Sequence, residues 1–119
     1  MTLTREQRAE LSKDLEDLTL ELQQTLEGSA EAARPVELDQ PAVGRVSRID
    51  AIQQQKMLEA NRQAQKMRLG LVRAALLRFE EDEYGECAVC GEDIAFARLE
   101  AAPEAALCVE CQGRREKSR

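Results

Sequence analysis

Four cysteines sit near the end of the chain as two tight pairs, Cys87-Ala-Val-Cys90 and Cys108-Val-Glu-Cys111, and there are no others. Seventeen residues separate the pairs, giving C-x2-C-x17-C-x2-C, within the spacing window of a structural zinc site. A two-residue gap lets two sulfurs on one turn face a common point, and two such turns complete a tetrahedron. Histidine is absent, so the ligand set can only be the thiolates of Cys87, Cys90, Cys108 and Cys111, holding one structural Zn2+. A closed four-thiolate shell leaves no position for water or substrate, which argues against catalytic zinc. A thioredoxin-like redox pair would expect a βαβ setting, and that pattern is absent here.

The residues around the pairs say how the sulfurs would be held. Gly91 directly follows Cys90, where a thiolate-binding turn often needs a positive φ. Glu92 to Leu107 reads as a short hairpin or irregular connection. Cys108 to about Lys117 reads as a terminal helix whose first turn carries the last two ligands, with free N–H groups aimed at negative sulfur. Arg98, Arg114 and Arg115 are candidates to offset the net negative charge of a zinc tetrathiolate. This small knob has little apolar content, so the metal is expected to supply most of its stability.

The remainder of the 119 residues must carry this knob. Charged residues make up 34% and aromatics 3%, with no Trp, a composition that suits long amphipathic helices packed by Leu and Ala. From Leu3 to about Ala33 the pattern is helical, with a seam at Leu11, Leu15, Leu18, Leu22 and Leu26. Thr4 and Gln7 form a plausible capping box, and Arg34-Pro35 stops the helix. A tip loop covers about residues 34–46, punctuated by Pro35, Pro41 and Gly44. A second helix starts between Pro41 and Ser47 and runs to about Glu83. With Ser47 as its N-cap, Asp50 falls at the third helical position, where the helix dipole favours a carboxylate. Ile49, Met57, Ala60, Ala64, Met67, Leu71 and Ala74 are read as the seam of this helix.

Charge argues independently for pairing the two helices. Residues 3–33 hold eight acids against three bases, a balance of −5, whereas residues 45–79 hold eight bases against two acids, a balance of +6. Oppositely charged helices joined by a short loop should fold back on each other. The expected fold is therefore mostly α: an antiparallel coiled-coil hairpin over residues 1–83, then a four-cysteine zinc knob with a C-terminal helix over residues 84–119. The competing arrangement is a homodimeric coiled coil. Like-charged first helices repel, which argues against parallel self-pairing and for a monomer.

At this point the residues match a family. Tyr84-Gly85-x-Cys87-x-x-Cys90-Gly91-x-x-Ile94, then Arg98-Leu99-x-Ala101-x-Pro103, then Cys108-x-x-Cys111, resembles the DksA/TraR family of bacterial transcription factors. The match is specific over residues 84–112 and rests on architecture upstream. The resemblance implies a regulator that binds RNA polymerase without reading DNA sequence, inserts its hairpin into the secondary channel, and alters initiation at selected promoters with its tip near the catalytic magnesium.

Two departures from the family pattern stand out. The best-known members carry D-x-x-D-x-A at the tip; counting back from the first zinc cysteine places Gly44, Ser47 and Ile49 there. The nearest acids are Asp39 and Asp50, and Asp50-Ala51 is the candidate substitute, with helix capping the competing role for Asp50. Asp39, Arg45, Arg48, Asp50 and Ala51 make up the candidate polymerase-facing tip. Members that respond to guanosine tetraphosphate (ppGpp), the stringent-response nucleotide, place bases just before the proline of R-L-x-A-x-P and just after the final cysteine. Here those positions are Ala102 and Gln112, and losing two cations from a polyphosphate site should leave the ppGpp response weak or absent.

Other classes fit less well. A net charge of −6 repels nucleic-acid phosphates, which leaves a zinc-ribbon nucleic-acid-binding or adaptor protein, using the basic helix and the Arg114-Arg115 tail, as the alternative. The chain is expected not to be an enzyme: it lacks histidine for acid–base work, a P-loop and a dinucleotide fingerprint. The apolar runs are too short to span a bilayer, and the N-terminus lacks the apolar core of a signal peptide. Reduced thiols that favour metal over disulfides suit the cytoplasm.

Overall fold

The computed structural model describes residues 3–32 and 45–117. Thr4 opens the first helix as expected. Its hydroxyl accepts from the Gln7 N–H at 3.1 Å while its own N–H donates to Gln7 Oε1 at 3.0 Å, a reciprocal cap that satisfies two otherwise orphaned groups. Helix α1 runs over Arg5–Ser29 and α2 over Arg45–Glu80; the short α3 covers Phe96–Ala101 and α4 covers Val109–Lys117. The molecule is elongated, about 63 × 32 × 21 Å. No described helix is long and apolar enough to cross a membrane.

Helices α1 and α2 form an antiparallel hairpin, and two contacts fix its register. At the base, Arg8 Nη2 donates to Asp82 Oδ1 at 2.8 Å. Further along, Arg62 Nη1 donates to the Leu26 carbonyl and to Ser29 Oγ. These pairs set Leu11 level with Phe79, Leu15 with Ala75, and Leu18 with Val72. Leu11, Leu15, Val72 and Ala75 are wholly buried, each large apolar side chain contributing about 2 kcal/mol by leaving water. Arg62 has a further task. The last turn of α1 holds no basic residue of its own, so α2 supplies the cation that the negative end of the α1 dipole favours.

The seam expected on α2 is overturned. Ile49, Met57, Ala60, Ala64, Met67, Leu71 and Ala74 are all exposed. The face turned to α1 consists of Gln55, Leu58, Arg62, Gln65, Leu69, Val72, Leu76 and Phe79, all buried or half-buried, at strict alternating three- and four-residue spacing. Polar Gln55, Arg62 and Gln65 occupy inward positions by burying their stems, which hid the true seam from a reading by hydrophobicity.

Helix boundaries also shift. The described part of helix α2 starts at Arg45, inside the Pro41–Ser47 range expected for its beginning, so Ser47 lies within the helix rather than at its N-cap and Asp50 lies beyond the third helical position. Residues 33–44, most of the expected loop, lie outside the described residues. Helix α1 closes at Ser29, short of Ala33, as Arg62 engages its terminal carbonyl. Helix α2 ends at Glu80 rather than Glu83 because Asp82 turns left-handed, with φ 58°. The Asp82 N–H then donates to the Phe79 carbonyl at 3.2 Å and the Glu83 N–H to the Arg78 carbonyl at 2.8 Å, a Schellman ending normally built on glycine.

A joint between hairpin and knob follows. Phe79 and Tyr84 stack with ring centroids 3.9 Å apart at 15°, and the Arg8 guanidinium lies 5.7 Å from the Phe79 ring centre. Tyr84 is buried, and its hydroxyl donates to the Pro103 carbonyl at 2.8 Å. Arg68 of α2 reaches Glu104 at 3.1 Å. The segment between the cysteine pairs is thus anchored to α2 and to the turn that follows it.

Candidate metal centre

Each cysteine pair lies on backbone shaped for it. Before the first pair, a single bridge joins Glu86 and Asp93, with the Ile94 N–H donating to the Gly85 carbonyl at 2.7 Å and the Cys87 N–H to the Glu92 carbonyl at 2.8 Å. The chain then folds back over Cys87, whose carbonyl accepts from the Gly91 N–H at 2.9 Å. Gly91 has φ 76°, the positive value expected after Cys90. Gly85 is also left-handed, and an added Cβ there would lie 3.0 Å from Leu3 Cδ1.

The second pair uses a helix start. Cys108 precedes α4, and the Cys111 N–H points at Cys108 Sγ at 3.5 Å, so sulfur takes the place an N-cap oxygen usually fills. The Arg98 Nε donates to the Leu107 carbonyl at 2.9 Å, steadying the residue beside Cys108. Arg98 sits on α3, a helix inside the span read from sequence as a hairpin or irregular connection. Its six residues and its Ala95 N-cap, which makes no side-chain bond, left little signal. Arg114 and Arg115 line a cleft with Val89, Leu107 and Cys111, so the cationic side chains expected near the cluster are found there.

The four Sγ atoms lie within 4.8 Å of one another, and Cys90 and Cys108 Sγ are 3.8 Å apart. A tetrahedron with Zn–S bonds of about 2.3 Å has edges of about 3.8 Å. Donor set, number and spacing therefore fit zinc. Cys87 and Cys111 are buried while Cys90 faces solvent. The thiols are electrostatically unequal: the Cys90 N–H, above all, stabilises the Cys87 thiolate and holds its pKa at about 6. Hydrogen bonding with Cys108, then burial, push Cys111 up to about 12. Metal binding must displace the protons that remain.

Residues 82–117 match the family model for the prokaryotic DksA/TraR C4-type zinc finger. The fold agrees over nearly the whole molecule: the structure of transcription factor DksA2 from Pseudomonas aeruginosa superposes with a TM-score of 0.76 at 26% identity, covering 96% of this chain and 86% of that one. Residues 82–117 thus carry a zinc finger of the DksA/TraR type, and the likeness of the fold extends over nearly the whole molecule. Among curated DksA/TraR relatives, the RNA polymerase-binding transcription factor DksA of Haemophilus influenzae is 38% identical over 52 residues, 44% of this chain and 36% of that protein. Its counterpart in Caulobacter vibrioides is 43% identical over 56 residues, 47% of this chain and 39% of that protein. The matched segment thus spans little more than a third of these DksA sequences. A C4 finger with its four cysteines clustered this closely is consistent with one structural zinc.

The candidate tip residues are less gathered. Asp39 lies outside the described residues, and Arg45 is the first residue of α2. Arg48 and Asp50 are exposed on the first turns of α2, and Ala51 is half-buried beside Ala32, Gln54, Gln55 and Leu58. Sequence reading missed Arg62, Asp82 and the Tyr84–Pro103 anchor as organising contacts. Only Tyr84 carried a signal, as part of the Tyr84-Gly85 run.

Proposed function

We propose that this chain binds RNA polymerase and regulates transcription through the enzyme rather than through DNA sequence. The observation that carries this reading is a helical hairpin rooted in a C4 finger, the whole arrangement shared with DksA2 over 96% of the chain. In this reading residues 1–83 are the arm that enters the secondary channel, and residues 84–119 are the base that holds it at the channel rim. The tip then modulates initiation at selected promoters from beside the active centre. Exposed Arg48 and Asp50, with Ala51 and the flanking Asp39 and Arg45, are the contacting set. The protein acts without catalysis of its own, in the cytoplasm. The net charge of −6 supports a protein partner over nucleic acid.

The nucleotide response is weak or absent in this proposal. Ala102 closes α3, and Gln112 donates instead to Glu116 Oε1 at 3.2 Å, so neither position offers a cation to a polyphosphate. The test is in-vitro transcription at a ribosomal promoter with wild type and Asp50→Asn, with and without ppGpp. The wild type should change transcript yield, with little further change on adding ppGpp, and Asp50→Asn should lose most of the effect. A wild type that neither binds polymerase nor alters transcription would overturn the reading, and an unaltered Asp50→Asn would remove that residue from it. Steeply salt-dependent binding to nonspecific duplex DNA would instead favour the nucleic-acid-binding alternative.

A further inference from the structure

The exposed stripe on α2 has an order that the chain's own packing does not use. Met57, Ala60, Ala64, Met67, Leu71 and Ala74 follow a three–four spacing on a face turned well away from α1. Met57 is 67% exposed, Met67 72% and Leu71 52%. Large and small residues are arranged so that the stripe complements itself when reversed. An antiparallel copy centred between Gln65 and Lys66 sets Met57 against Ala74, Ala60 against Leu71 and Ala64 against Met67. Every layer then pairs one large side chain with one alanine. A parallel copy would instead set methionine on methionine and alanine on alanine, leaving alternate crowding and voids.

The borders of the stripe agree with the same register. Lys56, Gln63, Gly70 and Leu77 line one border, and Asn61 and Arg68, both exposed, line the other. In the antiparallel arrangement Lys56 meets Leu77, Gln63 meets Gly70 and Asn61 meets Arg68, so no like charges face each other. Gly70 is a second observation. It sits inside a long helix, where glycine is disfavoured against alanine, and an added Cβ would meet nothing within 4 Å. The chain's own fold does not ask for a glycine there, whereas a neighbouring helix approaching closely along this border does. The exposed apolar area is on the order of 500 Å² per copy, about 1,000 Å² in a pair, near the lower limit for a specific interface.

We propose that a second copy of this chain docks on this face, through an antiparallel, two-fold α2–α2 contact. The pair is a weak one, with a Kd on the order of tens of micromolar, as expected for a small interface without aromatic anchors. The contact does not depend on the polymerase reading.

The test is sedimentation equilibrium of the zinc-loaded full chain, with two variants that address register as well as existence. Ala64→Glu alone and Met67→Lys alone should each raise the Kd at least tenfold, because each places two buried charges against apolar partners. Mixed together they should form a heterodimer of near wild-type affinity, since one layer becomes a Glu–Lys pair and its two-fold mate keeps the native Met67 and Ala64. Both positions are exposed in the single chain, so helicity and zinc content should be unchanged. A wild type that stays monomeric into the millimolar range would overturn the proposal. Dimers that survive both single substitutions would overturn it too, as would a mixture that fails to pair.

Discussion

Tyr84 is the sole tyrosine in a chain without tryptophan, so its absorbance reports on the joint between hairpin and finger without interference. The phenol is 3% exposed and donates to the Pro103 carbonyl at 2.8 Å. Burial pushes its ionisation well above the ordinary tyrosine range, and nearby Glu104 and Asp14 add to the effect while Arg78 opposes it. The raised value means that folding favours the protonated phenol. Its contribution is fully present below about pH 10, the unfolded value, and is lost as pH rises beyond that. Tyrosinate absorbance near 295 nm should therefore stay flat through pH 10 in the folded, zinc-loaded protein, and rise at higher pH, by unfolding if not by direct ionisation. In urea the same signal should titrate close to pH 10. Tyr84→Phe removes the donor and leaves a buried carbonyl short of a partner, at about 1–2 kcal/mol. For a chain of this size that lowers Tm by on the order of 5 °C. A folded-state titration midpoint at pH 10, or an unchanged Tm for Tyr84→Phe, would refute the idea that this hydroxyl is a buried anchor.

Other outcomes follow from single residues. Leu15→Ala, at a wholly buried site between the helices, should cost about 3 kcal/mol in urea unfolding monitored by circular dichroism. Asp82 is left-handed and exposed, so Asp82→Gly should exceed Asp82→Ala in stability by about 1 kcal/mol, with an intermediate wild type if its Arg8 pair adds only a few tenths. Cys111→Ser should lower zinc content below one per chain by elemental analysis and destabilise the finger, with the helical signal of the hairpin falling less. Zinc affinity should rise with pH in competition with a chromophoric chelator, because all four sulfurs must be deprotonated; a flat profile near neutrality would contradict four-thiolate ligation.

What the residues announced depended on whether chemistry or packing dictated them. The cysteine spacing, the Gly91 turn and the Thr4 cap were legible because each demands particular residue types at fixed offsets. The α1 seam was legible because five leucines lie on one face. The α2 seam was not: Gln55, Arg62 and Gln65 face inward while Met57, Met67 and Leu71 face out, the reverse of what hydrophobicity alone suggests. Arg62 could be understood only with the end of α1 in view, since it works on a carbonyl 36 residues earlier in the chain. Helix α3 is a single short stretch without a capping side chain, held by its neighbours rather than by propensity. The early end of α2 hung on Asp82 adopting a conformation usually given to glycine.

The Tyr84–Pro103 bond also has a mechanical consequence. Pro103 lies in the segment strung between the two cysteine pairs, and Tyr84 stacks on Phe79 near the foot of α2. The direction in which the arm points is therefore referred to the metal cluster through the Tyr84 hydroxyl and the Phe79 ring, with the Arg68–Glu104 pair beside them. Helix α2 has 36 residues, a lever of about 54 Å. A change of 5° at its foot would sweep the far end through about 5 Å at that length, more than the length of a hydrogen bond. A ligand change at the cluster too small to disturb the fold could thus redirect the other end of the molecule.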